Sequence, residues 1–459
     1  MMDIPNNDGL PRACVAVVEH NATGPSGSFR CEIDSNIEFS TEKLETYCLS
    51  AWEPVTFDCM LMAGAVEYCD RILKRPSLGW GRDFELIIAV HEPDRWNDPG
   101  VAGALTDCLG FLTGDRWRLT FTGRRKKAAA PRQGHLQIPS GTLAVIPFSD
   151  GLDSRAVAGI VARQLGDRLI RVRLGSKLFE QPAAFPRQPF ASVPYRVKAG
   201  SRRLVETSAR SRGFKFAMLS GLAAYLAGAE RIVVSESGQG ALGPALVPVG
   251  QAYEDFRNHP LFTDRMEVFF GALFQRPVRF EFPRLWYTKA ETIAEYMSED
   301  GNPAPLDAWS CWQDSRQVSV NNQRRQCGIC AACMLRRLSL HAAHLEEKRD
   351  TYVWENLGAR DFEAGAAADF PQTKINKAQR QYAIAGTLHH DHLAALSAPD
   401  ADRRSLKRAA FLLARSQGLP EAETENRLCR LLQQHANEWK EFIASLGPAS
   451  FIRQWATAA

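Results

Sequence analysis

The sequence lacks the long apolar runs and the charge bias that would place it in a membrane or along a nucleic acid. No stretch of its 459 residues reaches the roughly 18–20 consecutive apolar residues that a membrane-spanning helix needs. The start, MMDIPNNDGL, lacks the basic residues and apolar run of a signal peptide. The 56 basic and 52 acidic residues leave a net charge of only +4, so nucleic acid is not expected as a partner. We therefore expect a cytoplasmic protein that does not enter a membrane.

The sequence also lacks an even set of cysteines for a disulfide framework, and it has no internal repeat. Its eleven cysteines are an odd number in a long chain without an export signal, which indicates reduced thiols. Seven are scattered and are interpreted as small apolar fillers: Cys14, Cys31, Cys48, Cys59, Cys69, Cys108 and Cys429. The other four are crowded at positions 311–333 and need another explanation.

Length and composition are typical of a globular protein with more than one domain. Hydrophobic residues make up 45% and charged residues 24% of the chain. Stretches rich in Pro, Gly and charged residues divide the chain into three predicted domains. These are an N-terminal α+β domain over residues 1–137, a domain of alternating strands and helices over 138–345, and a C-terminal helical domain over 346–459.

Periodicity within the N-terminal part predicts strands over residues 14–18, 84–90 and 117–121 and a helix over 57–73. This part ends in a polar, basic stretch over residues 123–134. The stretch is interpreted as a solvated linker, with a phosphate- or partner-binding patch as the alternative.

The central part alternates strands and helices. Strands are predicted over residues 143–148, 169–174 and 231–235, and helices over 154–165 and 215–227. This order predicts a doubly wound parallel sheet with a ligand at the carboxyl ends of its strands.

The C-terminal part shows helical periodicity over residues 406–415 and 424–446. Its three close histidines, His389, His390 and His392, point to different faces of a helix. They are therefore interpreted as a polar helix end, with a shared metal as the alternative.

The turn after the strand over residues 143–148 has the composition of a phosphate-binding loop. It reads Ser-Asp-Gly-Leu-Asp-Ser over residues 149–154. Such a turn directs backbone N–H groups and the positive end of the next helix into one space. Gly151 allows close approach of phosphate oxygens, and Asp153 can hold Mg²⁺. A structural strand-to-helix turn with an N-cap serine is the alternative.

This loop resembles the SGGxDS signature of the PP-loop ATP pyrophosphatases, which have a fold of the adenine-nucleotide alpha-hydrolase type. The resemblance implies binding of ATP, adenylation of a carboxylate or carbonyl oxygen, and release of pyrophosphate. Asp150 stands where the family has its first glycine, which favours an alternative in which the chain holds a nucleotide as a scaffold. The nucleotide-binding residues implied are Ser149, Asp150, Gly151, Leu152, Asp153 and Ser154, with Ser149 and Asp153 also catalytic.

The crowded cysteines have the spacing of a closed zinc site. Cys311 precedes Cys327, Cys330 and Cys333, which form two overlapping C-x-x-C steps with Gly328 to turn the knuckle. Four sulfurs suit tetrahedral Zn²⁺ and leave no open position, so a structural metal is predicted. Four unligated thiols and an iron–sulfur cluster are the alternatives.

The cysteine spacing, continued through Met-Leu to Arg336, resembles the zinc site of 7-cyano-7-deazaguanine synthase, the QueC family. Segments 212–216, 231–236 and 288–293 resemble further parts of that family in the same order, so the likeness covers residues 140–345. It implies ATP-dependent activation of a 7-deazaguanine carboxylate, with Arg212 binding the nucleotide and Lys289 assisting catalysis at a phosphate. For Lys289 the alternative is a surface charge. Arg336 either orients an acidic group or forms a structural ion pair.

The two flanking parts, including segment 109–117, make the chain similar to the QueC-like component of the Qat anti-phage defence system. This similarity implies a protein partner from the same system. It leads to the hypothesis that the activated deazaguanine is joined to that partner. A transfer-RNA-modifying PP-loop enzyme is a further alternative, against which the near-neutral charge argues.

Overall fold

A computed structural model describes residues 9–41, 53–76, 79–127, 141–149, 151–175, 193–200, 203–249, 253–298, 306–313, 317–399, 401 and 403–456. Every helix in these ranges is too short or too polar to span a lipid bilayer. Asp150, Cys48 and residues 128–134 of the predicted linker lie outside the described residues.

The elements follow one another in the following order. The strands are β1 (Arg12–Val18), β2 (Phe29–Glu32), β3 (Ile37–Phe39), β4 (Asp83–Val90), β5 (Arg116–Gly123), β6 (Ala144–Pro147), β7 (Leu169–Val172), β8 (Leu174–Gly175), β9 (Val193–Val197), β10 (Arg231–Val233), β11 (Arg279–Glu281), β12 (Ser319–Val320) and β13 (Gln323–Arg324). The helices are α1 (Val55–Ile72), α2 (Pro93–Asn97), α3 (Pro99–Thr113), α4 (Leu152–Leu165), α5 (Arg212–Ala227), α6 (Gly238–Ala241), α7 (Gly243–Leu246), α8 (Pro260–Phe274), α9 (Lys289–Met297), α10 (Ala331–Ala342), α11 (Lys377–Ala395), α12 (Arg403–Gln417), α13 (Glu421–Ser445) and α14 (Phe451–Trp455).

The chain divides into two compact units. The first comprises Met1–Phe148, Val161–Val234 and Asp255–Phe282, and the second comprises Ser149–Ile160, Ser235–Glu254 and Pro283–Ala459. The predicted division into three domains stays a prediction.

The first unit begins with a four-stranded parallel sheet in the order β2-β1-β4-β5. Parallel neighbours need long crossover connections, which here contain α1 between β1 and β4, and α2 and α3 between β4 and β5. The predicted strands and helix are confirmed. The α+β class expected for residues 1–137 is wrong, because all strands of this four-stranded sheet pair in parallel and helices form the crossovers from β1 to β4 and from β4 to β5.

A second parallel sheet of the first unit has the order β11-β10-β6-β7. Ala144, Val145 and Ile146 of β6 are fully buried, as the continuous apolar run predicts. The parallel sheet expected for the central part is therefore confirmed. A small third sheet joins β3, β9 and β8.

The second unit has a core that includes the four cysteines, Trp354, and Trp439, Phe442 and Phe451 of the C-terminal helices. Gly386 lets α11 approach the start of α10. A Cβ atom at Gly386 would lie 2.9 Å from the Ala331 backbone nitrogen and 3.1 Å from the Ile329 carbonyl oxygen.

The C-terminal region is helical, as predicted, with α11 to α14 covering most of it. The polar helix end expected at the histidines is wrong for His389 and His390, which are buried. The His389 ring bonds the Val247 carbonyl oxygen, and the His390 ring bonds the Ala331 carbonyl oxygen. Each ring therefore bonds one carbonyl oxygen, whereas His390 Nδ1 has no hydrogen-bond partner among the described residues.

Candidate functional site

The loop between β6 and α4 is held by a relay of serine hydroxyls. Ser149 Oγ lies 2.9 Å from Ser154 Oγ, which in turn lies 3.2 Å from Ser235 Oγ. The Gly151 backbone N–H donates to Ser149 Oγ at 3.2 Å. Ser154 is the third residue of α4 and is not its N-cap, so its hydroxyl is directed into the loop.

Leu152 anchors the end of this loop through apolar contacts. Its side chain is buried in a small apolar cluster with Ile293, Ala308 and Leu340. The side chain therefore holds the first turn of α4 in place within the second unit. A role of Leu152 in binding nucleotide stays a prediction.

Asp153 is buried in the first turn of α4 and is only 7% exposed. One oxygen, Oδ2, lies 2.5 Å from Lys289 Nζ. The other, Oδ1, has no hydrogen-bond partner within the described part of the chain. A buried carboxylate oxygen without a donor is costly, and it is a suitable ligand for a hard cation such as Mg²⁺.

Lys289 is placed by the start of α9. Thr288 is the N-cap of this helix and forms a reciprocal capping box with Glu291. Burial lowers the pKa of Lys289, but the carboxylates of Asp153 and Glu236 outweigh it, so the pKa is raised and the ammonium stays charged. Lys289 is thus not the surface charge of the alternative interpretation.

Ser235 and Glu236 also lie at this site. Segment 231–236 resembles part of the QueC family, but the predicted site residues do not include these two. They follow β10 directly, in a Ser- and Gly-rich turn over residues 235–240. The sequence pattern could have indicated them, because this turn follows β10 and the loop over residues 149–154 follows β6, and both strands belong to one parallel sheet. The two carboxylates and one ammonium leave an excess negative charge, which also suits a cation.

The four predicted cysteine ligands lie together. Their sulfur atoms are all within 4.8 Å of one another, and Cys327 Sγ is 3.7 Å from Cys333 Sγ. A tetrahedron with zinc–sulfur bonds of about 2.3 Å has edges of about 3.8 Å, so the set fits Zn²⁺. Backbone N–H groups of Cys327 and Gln313 donate to Cys311 Sγ, and those of Ile329 and Cys330 donate to Cys327 Sγ.

Gly328 has φ +85°, which permits the turn between the first two ligands of the knuckle, as predicted. The thiols also act on one another. Hydrogen bonds from Cys327, Cys330 and Cys333 lower the pKa of Cys311, whereas burial raises the pKa of Cys327 and of Cys333.

Arg336 is fully buried on α10. It donates to the carbonyl oxygens of Ala308 and Leu306 and to the carboxylate of Glu347. This arrangement favours the structural ion pair over a role in orienting substrate. Arg212 is the first residue of α5 in the first unit, and its predicted contact with nucleotide stays a prediction.

Comparison with known families gives a match to part of the chain. The family described as "Queuosine biosynthesis protein QueC" matches residues 244–344, under a quarter of the chain. The match supports a QueC-like family and suggests an ATP-using enzyme of PP-loop type, with a synthase or ligase activity. It includes Lys289, Arg336 and all four cysteines, whereas residues 149–154 precede it. No curated protein matches the chain.

Proposed function

We propose that the protein is a PP-loop enzyme that uses ATP to activate the carboxylate of a 7-deazaguanine acid as an adenylate. The observation that carries this proposal is the buried ion pair between Asp153 and Lys289. It joins the phosphate-loop residues 149–154 to the segment that matches the QueC family. The pair supports the proposal because it sets a residue of the loop beside a residue of segment 288–293.

In the proposed reaction a carboxylate oxygen of the acid attacks the α-phosphorus of ATP. The bond from that phosphorus to the bridging oxygen breaks, and pyrophosphate leaves. A carboxylate is a poor electrophile, and the acyl adenylate offers AMP as a good leaving group for the next nucleophile.

The chain's own groups serve this step by binding and orienting charge. The hydroxyls of Ser149 and Ser154 and the Gly151 N–H are directed into the loop, where they hydrogen-bond to one another. When ATP binds, these donors would instead bond its phosphate oxygens. Lys289 supplies the buried positive charge that stabilises departing pyrophosphate. Mg²⁺, when bound through Asp153 Oδ1, would neutralise further charge on the phosphates.

The four cysteines would hold Zn²⁺ as a structural ion. All four are buried, and the closed set leaves no ligand position for a substrate. In this proposal the knuckle fixes the start of α10, from which Arg336 ties down the Leu306 and Ala308 carbonyls.

The proposed biological setting is anti-phage defence, with the activated deazaguanine transferred to a protein partner. This rests on the resemblance of the flanking parts. In this proposal the partner is recognised by the parts outside residues 244–344, which include a four-stranded parallel sheet and the C-terminal helices. Incubating the protein with ATP, Mg²⁺, 7-carboxy-7-deazaguanine and candidate partners should add mass to one partner. The absence of any adduct would contradict this part of the proposal.

The activity itself is tested by pyrophosphate release from ATP with 7-carboxy-7-deazaguanine and Mg²⁺. We expect the Asp153→Ala variant to lose at least about a hundredfold in rate, and the exposed Asp167→Ala variant to retain the wild-type rate. Nucleotide binding without pyrophosphate release in the wild type would instead favour the scaffold.

A further inference from the structure

The C-terminal helix α13 contacts the first turn of α9, where Lys289 lies. Glu438 Oε1 accepts the Thr288 hydroxyl proton at 2.6 Å. The same Thr288 oxygen accepts the Glu291 N–H as the helix cap. Arg430 donates to Glu291 and to the Trp286 carbonyl oxygen at 2.9 and 3.0 Å. Three residues around Lys289 are therefore bound to one helix.

A second chain of hydrogen bonds runs from His435 to the Lys289 backbone, and the donor and acceptor of each bond can be assigned. His435 Nε2 lies 2.9 Å from the His390 carbonyl oxygen, which can only accept, so this nitrogen carries the proton. His435 Nδ1 is then an acceptor, and the Gln239 amide nitrogen donates to it at 2.8 Å. Gln239 Oε1 is thereby turned to accept the Lys289 backbone N–H at 2.8 Å.

The imidazole holds this role because it stays neutral. Burial lowers the pKa of His435 to about 4, so near neutral pH it remains an acceptor at Nδ1. A protonated ring would present a donor to the Gln239 amide nitrogen and force the amide to turn over.

Hydrogen-bond donors around Glu438 favour its carboxylate form, but burial outweighs them and raises its pKa to about 7. Thr288, Gln434 and Gln239 all direct donors towards it. The charged groups that act on it are Glu291 of α9 and Arg430 of its own helix. Glu438 is only 4% exposed. Burying its carboxylate costs free energy because the charge loses its hydration.

We infer that α13 positions Lys289 for the proposed reaction, with Glu438 acting through Thr288 and His435 acting through Gln239. The C-terminal region is then part of the active centre rather than an appended domain. The catalytic meaning of this inference rests on the proposed function, but the placement of Lys289 does not.

The first experiment measures placement alone. Folded wild type and variants are acetylated briefly with N-hydroxysuccinimidyl acetate, and labelling of Lys289 is quantified by peptide mass spectrometry. We expect Glu438→Gln and Thr288→Val to raise the labelling rate at least about threefold, because the side chain becomes accessible to solvent, where its ammonium can lose a proton and the neutral amine can react. Thr288→Ser keeps the hydroxyl and should restore the wild-type rate. Glu441→Gln, an exposed site on the same helix, is the matched control.

The second experiment measures ATP affinity and pyrophosphate release over a range of pH. We expect Glu438→Gln to lower kcat by about tenfold with little change in ATP affinity, because orientation affects the reacting geometry more than binding. Wild-type kcat should fall as the pH decreases through about 7, where burial has raised the pKa of Glu438. The variant should lack this step.

The two failures are distinguishable. If wild type releases no pyrophosphate but Lys289 labelling rises in Glu438→Gln and Thr288→Val, the proposed reaction is wrong and the positioning stands. If both folded variants label and turn over like wild type, the positioning is wrong, whatever the reaction. Loss of stability with unchanged labelling in the folded state would likewise overturn it.

Discussion

Lys289 Nζ lies 2.5 Å from Asp153 Oδ2, and both side chains are buried. This pair joins two segments more than a hundred residues apart in the sequence. It also leaves Asp153 Oδ1 without a donor among the described residues, so the pair is oriented with one oxygen free for a further ligand.

Removing one partner of this pair should destabilise the protein more than removing both. Lys289→Met leaves a buried carboxylate uncompensated, which should cost about 3 kcal/mol or more in the free energy of unfolding. The double variant Lys289→Met with Asp153→Leu should recover part of that loss. Urea unfolding of the two single variants and the double variant measures the coupling. Simple additivity would contradict the ion pair.

Loss of one cysteine ligand should release zinc. Cys330→Ser is expected to lose bound Zn²⁺ and to lower the thermal midpoint of the second unit, because the four thiols form the centre of its core. Metal content by mass spectrometry and calorimetry check this. Cys429→Ser, which changes a partly exposed cysteine outside the cluster, is the control. A stable, active and metal-free Cys330→Ser protein would contradict the structural zinc.

The stability of the protein should depend on pH through the ionisation of Glu438. Burial raises its pKa from 4.5 to about 7 in the folded state. Between these values the folded state binds a proton that the unfolded state has lost, so stability falls as the pH rises. Glu438→Gln removes that term. We expect the difference in free energy of unfolding, variant minus wild type, to increase from pH 4.5 to about 7. Above that pH the difference should stay constant.

The exposed Glu441→Gln variant is the control for this pH series and should parallel wild type throughout. A constant difference between Glu438→Gln and wild type over the whole range would contradict the buried, shifted carboxyl.

Gly386→Ala should destabilise the contact between α11 and the start of α10. The added Cβ would lie 2.9 Å from a backbone nitrogen that has little freedom to move, and we expect a cost of about 1–3 kcal/mol. Gly271→Ala, in α8 with nothing within 4 Å, should instead be neutral or stabilising by up to about 1 kcal/mol. Equal effects in urea unfolding would contradict the close approach at Gly386.

Much of the fold could be predicted from periodicity. The strand over residues 84–90 matches β4 within one residue, and the helix over 154–165 matches α4 within two. These elements carry strong local patterns. The class of the N-terminal part was wrong because pairing between distant strands decides parallel against antiparallel, and no local pattern of residues 14–18 or 84–90 encodes it.

The candidate site could be predicted only where a motif carried it. The cysteine spacing and the loop over residues 149–154 are local signatures of chemistry. His435 and Glu438 were missed because a helical sequence does not show which polar residues on it are buried. Their spacing of three residues places them on one face of α13, but burial depends on Thr288 and Gln239, which lie far away in the sequence.

The central claim, adenylation of a carboxylate, is tested most directly by oxygen transfer. The protein is incubated with ATP, Mg²⁺, ammonia and 7-carboxy-7-deazaguanine labelled with oxygen-18 in its carboxylate, and the products are analysed by mass spectrometry. The account predicts pyrophosphate together with AMP that carries one labelled oxygen, and the loss of both products in Asp153→Ala. Unlabelled AMP, or ADP and phosphate as the products, would contradict it.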